Sequence, residues 1–232
     1  MPNTIFIIGT GPMIGAHTAR HFALQTFTSV ALIARSPANL SNSTTFITDA
    51  APSTTVKTYR ADVTDASALT SALTTAVSDL GPPEVVLYNA ARINYGTFPA
   101  YAPSDILEDF KIPNLGLYTT AAVLLPHLRG LAEKGPSGAH PSLFVTSGAI
   151  VHQPFAPVFS LSMAKAAQAS LCKLLAAENE GLVHVAMVTV GGVVGMEEKV
   201  NNPGNIAGKF WELWEQKTGV GDGWEFAMKC GW

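Results

Sequence analysis

Three glycines stand in the run Gly9-Thr10-Gly11-Pro12-Met13-Ile14-Gly15, directly after the apolar stretch Thr4–Ile8 and before a helical pattern. Glycine at a strand-to-helix turn permits positive φ and lets backbone N–H groups approach a pyrophosphate. The helix N-terminus that follows adds partial positive charge. Gly9, Gly11, Met13, Ile14 and Gly15 are therefore expected to cradle a dinucleotide, with an ordinary tight turn as the competing reading. The spacing is Gly-x-Gly-x-x-x-Gly, one residue longer at its second interval than the commonest fingerprint. About 20 residues past such glycines an NAD enzyme carries an acid for the ribose 2′-hydroxyl. Here the next strand ends in Ala34-Arg35-Ser36. A guanidinium without a competing carboxylate suits a 2′-phosphate, so Arg35 and Ser36 point to NADP(H).

These residues need elements to hold them. Short β-branched runs at 4–8, 30–34, 56–59, 84–88, 142–146 and 183–189, with a possible last one at 224–228, predict strands. Helical patterns fall between them, near 14–27, 65–79, 106–131, 159–179 and 203–217. Parallel strands require crossovers of this length, so the alternation predicts an α/β fold: a single Rossmann-type, doubly wound parallel sheet of about seven strands flanked by helices. Residues 1–232 are expected to form one dinucleotide-binding domain. The segments 38–55, rich in Ser, Thr and Ala, and 133–141, rich in Gly and Pro, read as inserted loops.

The totals narrow the partners. Charged residues make up 13% of the chain and hydrophobic ones 47%, with a mean hydropathy of +0.24. That balance predicts a deeply buried sheet and part of the surface covered by a second subunit. A net charge of −3 offers no basic footprint for nucleic acid. The N-terminus lacks a signal-peptide pattern, and the longest apolar stretch, 182–194, is interrupted by His184 and two glycines, so no membrane association is expected. Two cysteines, Cys172 and Cys230, form neither a disulfide framework nor a metal cluster, which suits the cytoplasm. His17 and His21 have a metal-like spacing on the first helix, but no third ligand accompanies them, and no metal is expected.

Taken together, these features resemble the short-chain dehydrogenase/reductase family, from the first strand to about Gly195. The resemblance implies that Asp62-Val63 meets the adenine and that Asn89-Ala90-Ala91 closes the fourth strand beside the cofactor. Thr146-Ser147 corresponds to the family's Ser-Ser pair, with Ser147 polarising the substrate. Lys165 corresponds to the active-site lysine, and Gly192-Val193 flanks the nicotinamide. The segment 196–223 falls where the family builds a substrate lid, with Phe210, Trp211 and Trp214 either capping a substrate or packing in a core or interface. The resemblance also implies a homodimer or homotetramer.

One departure is decisive. The family's tyrosine stands four residues before the lysine, and position 161 is leucine. Leu161 carries no ionisable proton. The family's helix asparagine counts back from Gly116 to Pro113, with Asn114 displaced by one. Lys165 is thus expected to serve mainly as a cofactor ligand, and His152, Tyr95, Ser160 and Ser162 are the other candidates near the cleft, the first two as replacement acids. The expected function is NADPH-dependent reduction of a small carbonyl, enone or imine at a non-standard site. The alternative is an NADP(H)-binding protein without hydride transfer, acting as a lyase, a cyclase or a cofactor-sensing partner.

Overall fold

A computed structural model describes residues 3–136, 138–216 and 227–230. Seven strands form one all-parallel sheet in the order β3-β2-β1-β4-β5-β6-β7. They are β1 (Thr4–Ile8), β2 (Ser29–Ala34), β3 (Thr55–Arg60), β4 (Val85–Tyr88), β5 (Ser142–Gly148), β6 (His184–Val190) and β7 (Ala227–Cys230). Of the last expected strand, residues 224–226 lie outside the described residues. Every residue of β1, β4 and β6 is buried, as a sheet covered on both faces requires. Side chains alternate between two cores. Phe6 and Ile8 face one core with α3 (Ala66–Leu80), α5 (Gly116–Lys134) and α6 (Phe159–Glu178). Ile5 and Ile7 face the other, with α1 (Ile14–Gln25), α2 (Pro37–Thr48) and α7 (Pro203–Trp214).

Two segments differ from the sequence expectation. The first, read as a loop over 38–55, contains α2. Ser36 caps it by accepting from Asn39 N, Pro37 occupies its first turn, and Leu40, Ser43 and Ile47 are buried. Its Ser/Thr content is accommodated because Thr44, Thr45 and Thr48 donate back to carbonyls one turn earlier. The second, read as one helix over 106–131, is divided into α4 (Pro103–Phe110), a π-turn at Lys111–Leu115, and α5. Pro113 has no N–H, so the helical ladder is interrupted where it stands. Two side chains bond to carbonyls of this stretch. The Tyr88 hydroxyl, at the end of β4, donates to Ile112 O, and Asn114 Nδ2 donates to Phe110 O at 3.1 Å. Tyr88 is fully buried, consistent with its packing role, and burial pushes its pKa up.

The aromatic tail residues settle in a core. Trp211 and Trp214 pack edge-on against Phe22 and Phe27, and Phe210 is fully buried. His17 stacks near Phe46 and His21 near Trp211, and burial lowers the pKa of both. Among the described residues no helix is long and apolar enough to cross a membrane.

Tyr88→Phe removes the hydroxyl and leaves the Ile112 carbonyl buried without that partner. Chemical denaturation should show a loss of about 1–3 kcal/mol; an unchanged midpoint would mean that another donor serves this carbonyl.

Candidate functional site

The strand order reverses between β1 and β4, and a cleft of about 910 Å³ opens at the carboxyl ends of the strands there. Its floor depends on one close approach. Gly9 has φ of +88°, and a Cβ placed on it would come within 2.5 Å of Ala90 N. Only glycine allows the β1 turn to press against the β4 turn in this way. Gly15 sits against Thr10 and Ile7, where a Cβ would come within 3.2 Å, so it sets helix–strand packing. Gly11 has open space around its Cα. The glycines thus supply a strained turn, an open approach and a tight packing contact. No side chain caps α1, whose N-terminus lines the cleft through Met13 and Ile14, leaving backbone donors suited to a phosphate.

Arg35 and Ser36 line the cleft at the end of β2. The Arg35 guanidinium is exposed and stands 3.5 Å from Asp62 Oδ2. Partial burial opposes charge on Asp62, but hydrogen bonds from Thr64 N and Oγ1 and the Arg35 guanidinium outweigh it and hold the carboxyl below its usual range. Val63, Ala90 and Ala91 complete this wall, while Gly192 and Val193 line the opposite rim.

A continuous hydrogen-bonded line crosses the site. Asn89 Nδ2 donates to Gly9 O at 3.0 Å, and Thr146 Oγ1 donates to Asn89 Oδ1 at 2.8 Å. Lys165 Nζ donates to Thr146 O and to Gln168 Oε1, each at 2.8 Å, and Gln168 Nε2 donates to Pro113 O at 2.9 Å. Burial lowers the Lys165 pKa to about 8; the neighbouring Cys172 thiol, itself pushed up to about 12 by burial, is neutral there. Ser147 is 4% exposed, lines the cleft, and its hydroxyl has no hydrogen-bond partner. Such an orphan donor is suited to a ligand's acceptor atom.

Leu161 is 6% exposed and lines the cleft one turn before Lys165 on α6. Ile93, Ile150, Phe155, Val158 and Val194 extend this apolar wall. Tyr95 lines the rim and is 72% exposed. His152 is exposed at the end of a short 3-10 turn and is not part of the cleft lining; its neighbour Gln153 is. Ser160 and Ser162 are buried in the first turn of α6 away from the lining, and the Ser162 hydroxyl exchanges hydrogen bonds with the Phe155 backbone. Of the segment 196–223, no described residue lines the cleft, and 217–223 lie outside the described residues. Asn114 is buried with its amide on Phe110 O and Ala164 O, so the carbonyl that reaches the lysine network is that of Pro113. Sequence reasoning missed Gln168, whose only signal is a polar residue one turn past Lys165 on the helix's inner face.

The chain belongs to the short-chain dehydrogenase family, whose model matches residues 3–203. No curated protein sequence matches it. Among solved structures, an alcohol dehydrogenase from the archaeon Thermococcus sibiricus complexed with 5-hydroxy-NADP superposes with a TM-score of 0.85 at 19% identity, covering 99% of this chain and 96% of that one. An NADPH-bound short chain oxidoreductase from Pseudomonas aeruginosa PAO1 containing an atypical catalytic center gives 0.75 at 20% identity, over 83% and 72% of the two chains. An NADH-dependent reductase A1-R′ complexed with NAD gives 0.78 at 17%, over 90% and 87%. At these identities the neighbours establish the fold. Family membership gives an oxidoreductase as the coarse reading, with a nicotinamide dinucleotide as its cofactor class.

Gly9→Ala should disrupt the contact with Ala90 and impose a positive φ on alanine, lowering stability by roughly 1–3 kcal/mol. Thermal melting followed by circular dichroism checks this; an unchanged melt would remove the close approach as the basis of the cleft.

Proposed function

We propose that the protein is an NADPH-dependent oxidoreductase that reduces a small carbonyl, enone or imine without a catalytic tyrosine. The observation that carries this reading is the juxtaposition, in one cleft, of a built dinucleotide cradle, the unpartnered hydroxyl of Ser147 and the apolar side chain of Leu161. The turn 9–15 would hold the pyrophosphate, Arg35 and Ser36 the 2′-phosphate, and Asp62 and Val63 the adenine. Lys165 would hold the nicotinamide ribose, with Asn89, Ala90, Ala91, Gly192 and Val193 around the ring. A reduced nicotinamide bound there supplies a hydride. Ser147 would donate to the acceptor's heteroatom and orient it, while the wall of Ile93, Phe155, Val158 and Leu161 excludes water. An imine protonated before binding suits such a site, because its carbon is already activated. For a neutral carbonyl, a proton source other than residue 161 is needed; Tyr95 at the rim, His152 from outside the lining and water are candidates.

The Pseudomonas oxidoreductase supports pairing this fold and NADPH with an unusual centre. Residues 1–232 are read as one domain, working in the cytoplasm as a homodimer or homotetramer on a small molecule. The exposed side chains of Leu107, Leu115 and Tyr118 follow one another along α4, the π-turn and α5, and a second copy would cover them. Leu161 also favours a second reading, in which NADP(H) is held and no hydride moves. The protein would then act as a lyase, a cyclase or a cofactor-sensing partner.

NADPH absorbance followed with a panel of carbonyls, enones and imines separates the two. Oxidation supports the first reading; tight NADPH binding with no oxidation on any acceptor supports the second. Arg35→Ala should weaken NADPH by roughly 10- to 150-fold, the equivalent of about 1.5–3 kcal/mol for a charged hydrogen bond, and leave NADH nearly unchanged. Equal losses for both nucleotides, measured by fluorescence titration, would contradict the 2′-phosphate assignment.

A further inference from the structure

We propose that Lys165 is itself the acid of this site, and that Gln168 is the positioning residue that holds it to that task. The inference rests on the oxidoreductase reading above and deepens it. Among the described residues, four ionisable side chains line the cleft: Arg35, Asp62, Tyr95 and Lys165. The first two stand at the adenosine end and are paired with each other. Tyr95 is exposed at the rim, so the buried proton carrier beside Ser147 and Leu161 is Lys165.

Its geometry is restrictive. An ammonium has three N–H donors. Two are committed, to Thr146 O on β5 and to Gln168 Oε1, and among the described residues no protein acceptor meets the third, which a nicotinamide ribose hydroxyl and the substrate's oxygen would share. Gln168 is fully buried and cannot swing away freely, because its amide nitrogen is tied to Pro113 O in the π-turn. The helix break therefore fixes the glutamine, and the glutamine together with β5 fixes the lysine. With leucine at position 161, no hydroxyl from that position stands between the ammonium and an acceptor.

The surroundings leave the ammonium free to give up a proton. Burial brings its pKa to about 8, and the titratable neighbour that perturbs it, Cys172 on the same helix, is a neutral thiol at that pH. On the elements packed against α6, α4 carries Asp109, paired with Arg92, as well as Asp105 and Glu108; the π-turn carries Lys111, paired with Glu108. β6 carries His184 at its opposite end, and β5 offers Lys165 only a carbonyl. In the reduction, the C=O π bond of the substrate breaks, its carbon receives the hydride and its oxygen receives a proton from Lys165. The substrate gains two electrons and the nicotinamide loses two. The lysine, left as a neutral amine, regains a proton from water through the open cleft before the next turnover.

The sign of the pH effect follows. Lys165 is competent when protonated, so carbonyl reduction should fall as pH rises through about 8. Gln168→Glu places a carboxylate beside the ammonium and should move that limb upward by at least about one pH unit. Gln168→Met removes an acceptor at similar volume and should move it downward. The test measures kcat/KM from pH 6 to 10 for both variants and follows the Lys165 15Nζ resonance over the same range in cofactor-free protein, with Lys165→Met supplying the assignment. Circular dichroism and NADPH titration confirm that each variant is folded. Opposite shifts, matched by the resonance, support the proposal. Lys165→Met should lower carbonyl reduction by roughly 10²- to 10⁴-fold. If the parent protein turns over but both variants keep its profile and its lysine titration, or both move the same way, the proposal is overturned and the oxidoreductase reading stands. If the parent protein oxidises NADPH with no carbonyl, that reading falls for carbonyls, and the acid role falls with it.

Discussion

The site depends on a single hydrogen-bonded line running from the Gly9 turn through Asn89, Thr146, Lys165 and Gln168 to the break at Pro113. Apart from Lys165 and Gln168, one turn apart on α6, each link joins two elements: the β1 turn to the end of β4, β4 to β5, β5 to α6, and α6 to the π-turn before α5. Those partners stand 19 to 80 residues apart, so the line can form only once the parallel sheet has brought the strand ends together. Pro113, Lys165 and Gln168 are buried and the other members half-buried, and a buried group that loses its partner costs about 1–3 kcal/mol. The dinucleotide turn and the lysine are therefore fixed relative to each other by the same set of bonds.

Around that polar line the cleft is divided in character. One end has Arg35, Ser36 and Asp62, open to solvent and arranged for charged and hydrogen-bonding groups. The other has Leu161, Val158, Phe155 and Ile93, with Ser147 as a buried hydroxyl among them. In such a setting a donor exposed to a bound acceptor acts more strongly than it would in water, because the local dielectric is low. The leucine removes a proton source yet keeps the wall beside Ser147 apolar.

Much of this was legible in the sequence where chemistry and position coincide. Gly9, Gly11 and Gly15 marked the turn after β1, and Asn89 and Lys165, named through the family resemblance, both line the cleft. The strands were visible because fully buried parallel strands are β-branched and apolar along their whole length. What escaped was set by tertiary partners. The Ser/Thr-rich α2 resembles a loop because its stability comes from a cap, a proline at the start and hydroxyls that bond back to the helix. Pro113 was visible as a departure from the family's asparagine position, and its carbonyl gains meaning only from Gln168, 55 residues away. His152 looked attractive as a titratable residue near Ser147, yet the 3-10 turn between them leaves it outside the cleft lining and puts Gln153 there instead.

Under the proposed function, a short-chain dehydrogenase cleft with leucine at position 161 still moves a hydride. NADPH deuterated at the transferring position of the nicotinamide, with the product analysed by mass spectrometry, tests this. Hydride transfer places deuterium on the former carbonyl or imine carbon, in proportion to the NADPH oxidised. Product formed without the label, or bound NADPH that remains reduced with every acceptor, would contradict it.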